Sequence, residues 1–218
     1  MTKFAIDEIM ERLESAVAAW HTPAVTIVSQ RYGDPFKVLV SCILSLRTKD
    51  TTTGPAAERL FLLADTPAAM SSLSQDMLEK AIYPVGFYRT KATQIRALCR
   101  QLVAEYDGRI PDAIDALLKF KGVGRKTANL VLTLGHGLPG ICVDTHVHRI
   151  CNRWGYVQTR NPEETEFRLR EILPLKYWSR INDLLVSFGQ NLCKPVSPFC
   201  TKCPIYQYCR RCNVIKNR

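Results

Sequence analysis

Nine cysteines stand in a chain of 218 residues, and five of them crowd residues 193–218. Four of the five fall in the pattern Cys193-x6-Cys200-x2-Cys203-x5-Cys209. Lys194, Pro195, Ser197, Pro198 and Lys202 lie between them and are loop residues, so these four cannot all be core cysteines. This end of the chain must therefore become a loop whose thiols share a task. So many cysteines fit a metal better than disulfides in a reducing compartment. Chemistry alone leaves two occupants open, a four-cysteine zinc site and an iron–sulfur cluster. Cys212 lies outside the pattern and is left unassigned, while Cys42, Cys99, Cys142 and Cys151 are scattered through apolar or helical stretches.

Elsewhere the apolar residues recur with a helical period. Ile6, Ile9, Met10, Leu13, Val17 and Trp20 follow the i, i+3, i+4, i+7 rule, as do Phe36, Leu39, Val40, Ile43 and Leu44. Leu130, Val131 and Leu134 continue the trend, and so do Ile181, Leu184, Leu185 and Phe188. Only Ala24 to Val28 reads as a strand. An all-α fold is expected. Breakers divide the helices at Gly33-Asp34, Pro84 to Gly86, Gly108 to Pro111, Gly122 to Gly124, Gly137 to Gly140, Asn161-Pro162 and Pro195 to Pro198. None of these stretches is long enough to separate independent domains, so any two lobes must share an interface.

Hydrophobic residues make up 46% and charged residues 23%, which argues against a disordered chain. Lysine and arginine outnumber aspartate and glutamate by 30 to 20, and this net charge of +10 points to a polyanionic partner. Residues 1–20 hold Asp7, Glu8, Glu11 and Glu14 among their apolar residues and so do not read as a leader. No apolar run approaches the length of a membrane span. The expected setting is the cytoplasm.

Phe120 to Ala128 reads Phe-Lys-Gly-Val-Gly-Arg-Lys-Thr-Ala. A helix over Ala113 to Lys119 should lead into it, and another should start within it. Gly122 and Gly124 allow a tight turn with positive φ and close approach of the backbone. Unpaired N–H groups at the start of the second helix, beside Arg125 and Lys126, make a phosphate site. Taken alone, the same glycines are more simply the corner between two helices.

Context changes that balance. Gly122-Val123-Gly124-Arg125-Lys126-Thr127-Ala128-Asn129 is followed by Val143-Asp144-Thr145-His146. Around these stand Asp34-Pro35-Phe36, Leu44-Ser45-x-Arg47-Thr48-Lys49-Asp50, Gly86-Phe87-Tyr88-x-x-Lys91-Ala92 and Val147-x-Arg149-x-x-Asn152-Arg153. Together they closely resemble the helix-hairpin-helix DNA glycosylases, and the endonuclease III family in particular, over nearly the whole chain.

The resemblance implies a bifunctional DNA glycosylase/AP lyase of base excision repair. Its partner would be double-stranded DNA holding damaged bases, oxidised pyrimidines above all, or abasic sites. The lysine matching Lys126 attacks the sugar C1′, the base leaves, a Schiff base forms, and β-elimination nicks the strand. The aspartate matching Asp144 helps deprotonate the amine and offsets positive charge on the sugar. Asp144 also precedes a helix expected over His146 to Trp154, and so suits an N-cap. His146 and His148 fit no metal pattern and are given structural or DNA-facing roles. The 6-2-5 spacing matches the family's [4Fe–4S] loop, with Cys193, Cys200, Cys203 and Cys209 as ligands and Lys194, Lys202, Arg210 and Arg211 near phosphates. The implied DNA-binding residues are Gly122, Val123, Gly124 and Arg125 of the hairpin, Lys91 as a phosphate anchor, and Arg47 and Phe87. These last two match loop residues that fill the gap left by a flipped nucleotide.

The implied architecture is two helical lobes: a barrel of helices over 28–138 carrying the helix-hairpin-helix, and a discontinuous cluster domain from 1–27 and 139–218. Lys126 and Asp144 would face each other across the cleft of a monomeric, nucleoid-associated protein. Two departures bear on substrate preference. Phe120-Lys121 stands where the family has leucine-proline, and Arg47 where endonuclease III commonly has glutamine. Two other readings compete. A monofunctional mismatch glycosylase lacks a lysine at the position of Lys126, and a non-catalytic, redox-sensing DNA-binding protein would not require both Lys126 and Asp144.

Overall fold

The computed structural model describes residues 4–20 and 24–218, and among these there is no strand. Residues 1–3 and 21–23, parts of the segment expected for the cluster domain, lie outside them. The chain divides into two compact units, Met1–Thr22 with Ile141–Arg218, and Pro23–Gly140. The first begins with α1 (Ile6–Val17), whose Ile6, Ile9, Met10 and Leu13 are buried while Asp7, Glu8 and Glu11 face solvent. That spacing puts four apolar side chains on one stripe, and fully burying each contributes roughly 1.5–3 kcal/mol.

The second unit follows: α2 (Ala24–Tyr32), α3 (Pro35–Ser45), α4 (Asp50–Leu63), α5 (Pro67–Ser72), α6 (Gln75–Ile82), α7 (Tyr88–Tyr106), α8 (Ile114–Leu117) and α9 (Arg125–Leu130). Its helix starts are written locally. Asp34, Thr66 and Ser74 each accept a hydrogen bond from an amide of the following first turn, with proline at the first position after Asp34 and Thr66. α3 is almost wholly buried, from Phe36 to Leu44, and packs against α2, α4, α7 and α9. α4 carries Pro55 in its first two turns.

The segment Ala24 to Val28 is helix, not strand. Five residues are too few to separate the two periods. The helix runs on to Tyr32, burying Ala24, Val25 and Val28 and leaving Ile27 and Gln30 outside. The helix expected over 113–119 is the short α8. Beyond α9 the chain widens into a π-helical turn, Val131–Gly135. The extra residue shifts the register, so that Leu132 is buried while Leu134 is half-buried, its carbonyl accepting from the Ser29 hydroxyl at 2.7 Å.

The chain then returns to the first unit with α10 (Thr145–Trp154), α11 (Pro162–Ile172) and α12 (Ile181–Asn191). Val147, Ile150 and Trp154 of α10, Leu185 and Phe188 of α12 and the apolar face of α1 share one core. Gly189 lets α12 close on α10, since a Cβ there would fall 2.2 Å from His146 Nδ1. The cysteine loop packs on this core, with Ile205 inside it.

Candidate functional site

Lys126 is the second residue of α9 and is exposed. The hairpin before it turns at Gly122, where φ is 82°. A Cβ there would lie 2.1 Å from Gln94 Nε2, the group that donates to the Lys121 carbonyl at 3.0 Å. Left-handed backbone and a filled space together require glycine. Gly124 does something different: it is the extended N-cap of α9, with φ at −97°. Asn129 holds the first turn by donating to the Arg125 carbonyl at 3.0 Å. Val123, expected at a DNA surface, is turned inward: its side chain is buried and its N–H donates to the Phe120 carbonyl. Cys42 of α3 lies within the field of Lys126, yet burial pushes its thiol up to about 12. It is therefore no rival nucleophile.

Arg47 and Phe87 sit on two loops, between α3 and α4 and at the start of α7. Both take left-handed backbone, with φ of 53° and 59°, and both are exposed. The structure brings them together, with Arg47 Cζ 5.8 Å from the Phe87 ring centroid. Lys91 is not placed as a phosphate anchor. It is only 5% exposed, on the buried face of α7 with Ala92, Ile95 and Leu98. Its ammonium donates to the carbonyls of Leu44 at 2.8 Å and Leu46 at 2.5 Å and to Thr48 Oγ1 at 3.1 Å. Burial pulls that ammonium down to about 8, and the three acceptors work to keep it charged. With three donors and three acceptors, nothing is left for DNA.

Asp144 caps α10. Its Oδ1 accepts from the amides of His146 at 2.8 Å and Val147 at 2.9 Å. His148 is tied to Thr165 and Asn152 within the fold, and His146 pairs with Arg149 through Nδ1. Two arginines on α10 reach the cysteine loop, and sequence reasoning missed both. Arg149 Nη2 donates to the Cys193 carbonyl at 2.8 Å. Arg153 donates to Cys193 Sγ at 3.4 Å, the Lys194 carbonyl at 2.7 Å and the Pro195 carbonyl at 2.6 Å. The only local signal was spacing: Arg153 lies four residues beyond Arg149 and next to the buried Trp154.

Cys193, Cys200, Cys203 and Cys209 line one cavity with Trp154 and Phe188. Burial, then one another's charge, pushes the Cys203 thiol up to about 11, and Cys200 and Cys209 move the same way. Among the described residues no three His, Cys, Asp or Glu side chains are drawn close enough to hold a single metal ion. Cys212 is exposed and lies outside this group. Arg211 is folded back over the Tyr206 ring, 4.3 Å from its centroid, and donates to the carbonyls of Tyr206 and Cys209. Lys202 and Arg210 remain exposed.

A glycine hairpin opening a helix, a lysine in that helix's first turn, an aspartate cap on a later helix and a four-cysteine loop define a class. Residues 40–175 match the HhH-GPD superfamily of base excision DNA repair proteins. The chain is 47% identical over 176 residues to endonuclease III of Thermotoga maritima, covering 81% of this chain and 83% of that one. It is 39% identical over 178 residues to endonuclease III of Rickettsia conorii, covering 82% and 85%. A trapped endonuclease III–DNA covalent intermediate, the estranged-adenine complex, superposes with a TM-score of 0.82 at 33% identity and covers 97% of each chain. A non-covalent endonuclease III–DNA complex superposes at 0.84, also 33% identical, covering 97% and 96%. The chain belongs to the endonuclease III family. Among the described residues no helix is long and apolar enough to cross a membrane.

Proposed function

We propose that this family member works in base excision repair as a DNA glycosylase and AP lyase, with Lys126 as its nucleophile and Asp144 as its acid–base and electrostatic partner. The observation that carries the reading is Lys126 itself, an exposed primary amine one residue into the helix that the glycine hairpin opens. The Lys126 Nζ attacks C1′ of a flipped nucleotide and the base departs. The resulting Schiff base makes the C2′ proton acidic, and its loss expels the 3′ phosphate and nicks the strand. Asp144 serves this with its second oxygen, since both cap bonds fall on Oδ1. Lys126 belongs to the second unit and Asp144 to the first. We read the second unit as the helical barrel and the first as the cluster domain, in a monomer working at the nucleoid. Sodium borohydride added to the protein on a duplex holding one oxidised pyrimidine should yield a covalent adduct. Tight binding without an adduct would favour the redox-sensing alternative, and base release without one the monofunctional glycosylase.

The four cysteines suit a [4Fe–4S] cluster. They share one cavity, and the thiolates of Cys200, Cys203 and Cys209 are disfavoured by burial and mutual repulsion until cationic iron is among them. When bound, the cluster supplies order to the loop, on which Lys202 and Arg210 stay exposed for phosphates. Purified protein should be brown and contain about four irons per chain with little zinc. A colourless, zinc-loaded, active preparation would overturn the assignment.

Arg47 is assigned to the base left without a partner. Glutamine there donates and accepts, whereas arginine only donates and pairs best with guanine O6. Oxidised pyrimidines should be released faster opposite guanine than opposite adenine. An arginine–guanine contact discriminates by about 1–3 kcal/mol, so the preference should be roughly five- to hundredfold. Single-turnover base release with one lesion opposite each purine measures it, in wild type and in Arg47→Gln. Equal ratios in the two proteins would remove Arg47 from that role.

A further inference from the structure

Arg47 and Phe87 share an unusual condition. Each is a non-glycine residue with left-handed backbone at the exposed tip of its own loop. Such conformations persist only where the surroundings fix them. The fixing groups lie behind the tips. The last carbonyls of α3, left unpaired by the helix, are taken by the Lys91 ammonium at Leu44 and Leu46. The ammonium's third bond goes to Thr48 Oγ1, which also accepts from Gly86 N–H at 3.1 Å. One hydroxyl thus joins the loop of Arg47 to the loop of Phe87. Gly86 permits the approach, because a Cβ there would stand 2.9 Å from the Arg47 carbonyl oxygen. The Lys91 backbone N–H donates to the Phe87 carbonyl at 3.0 Å, so one residue braces both tips.

The chemistry of Lys91 argues against a role in stability alone. A buried ammonium is costly to desolvate, and its three partners are carbonyl and hydroxyl oxygens, none of them a carboxylate. An apolar side chain would fill the position at less cost. What it could not do is tie two oxygens of the Arg47 loop, at Leu46 and Thr48, to the Leu44 carbonyl at the end of α3.

We propose that Lys91 and Thr48 are positioning residues, a strut that sets Arg47 and Phe87 side by side before DNA arrives, so that both tips enter the duplex as one unit. Prior ordering removes the conformational cost of arranging two loops during insertion. The proposal rests on the reading of Arg47 and Phe87 as the residues that fill the gap of the flipped nucleotide. It confines the strut to duplex substrates, since a single strand has no stack to open.

The test uses two substrates. One is a duplex with a single oxidised pyrimidine flanked by 2-aminopurine, whose fluorescence rises when its neighbour unstacks. The other is a single-stranded oligonucleotide with a preformed abasic site. Thr48→Val removes the shared hydroxyl and keeps the shape. It should blunt the fluorescence rise and slow base release from the duplex about tenfold, the scale of one charge-assisted hydrogen bond. Nicking of the single-stranded abasic site should stay within about twofold of wild type, as for substitutions away from a site. Thr48→Ser restores the hydroxyl and should restore the duplex rate. Gly86→Ala, whose Cβ would stand 2.9 Å from the Arg47 carbonyl oxygen and 3.3 Å from Thr48 Oγ1, keeps the hydroxyl but pushes the two loops apart; it should reproduce the Thr48→Val pattern and serves if that variant is poorly folded. Equal loss on both substrates, or no loss on the duplex, would overturn the strut. A wild-type protein that gives no fluorescence rise would overturn it together with the wedge reading. One that cannot nick the single-stranded site would instead sink the role of Lys126.

Discussion

Lys126→Gln should yield a protein that binds lesion-containing duplex yet forms no borohydride adduct and nicks no abasic site. Glutamine keeps much of the length and polarity of lysine and has nearly the same helix propensity, so α9 should stand. Lys126 is exposed, and such substitutions usually shift stability by no more than about 0.5 kcal/mol. The amide nitrogen has no available lone pair, so neither the carbinolamine nor the Schiff base can form. Loss of a covalent nucleophile should lower lyase turnover on the order of 10³-fold or more. The affinity curve separates chemistry from binding. If Lys126 also neutralises a phosphate, the logarithmic salt slope should fall by about 0.9 in the variant. Persistent trapping would move the nucleophile to another amine, with Lys121 of the same hairpin the first to examine.

Why some of this was readable from the residues and some was not follows from the range of the forces. The starts of α9 and α10 were legible because hairpin glycines and a capping aspartate act over two or three residues. Lys126 and Asp144 could therefore be placed on their helices directly. The long stripes of α1, α3 and α12 were legible because several turns repeat one period. Ala24 to Val28 was not, since tertiary packing on α3 and α4 decides so short a run. Lys91 was misread because a lysine usually lies outside. Its spacing from Ile95, Leu98 and Leu102 already placed it on the apolar face of α7. The inward turn of the Val123 side chain was not legible either, because a single apolar residue between two glycines carries no periodicity. The bonds from Arg153 to Cys193 and Lys194 span some forty residues, and no local pattern announces them.

Asp144→Asn should slow base release by roughly 10²-fold or more while leaving the fold intact. The two consequences come from different oxygens. Capping of α10 runs through Oδ1, which accepts from His146 and Val147, and asparagine keeps an oxygen there. Asparagine is as good an N-cap as aspartate, so α10 and the core it shares with α1 and α12 should hold. What asparagine cannot supply is the second carboxylate oxygen and the negative charge. On the mechanism proposed above, those are what take the proton of the Lys126 ammonium and offset positive charge on the departing sugar. The defect should therefore appear in the single-turnover rate at saturating protein, with the melting temperature and DNA affinity close to wild type. Asp144→Ala would lose both functions, and its extra loss of stability, typically ~1 kcal/mol, measures the cap separately. If Asp144→Asn releases bases at the wild-type rate, Asp144 is a cap and nothing more, and the proton from Lys126 must go elsewhere.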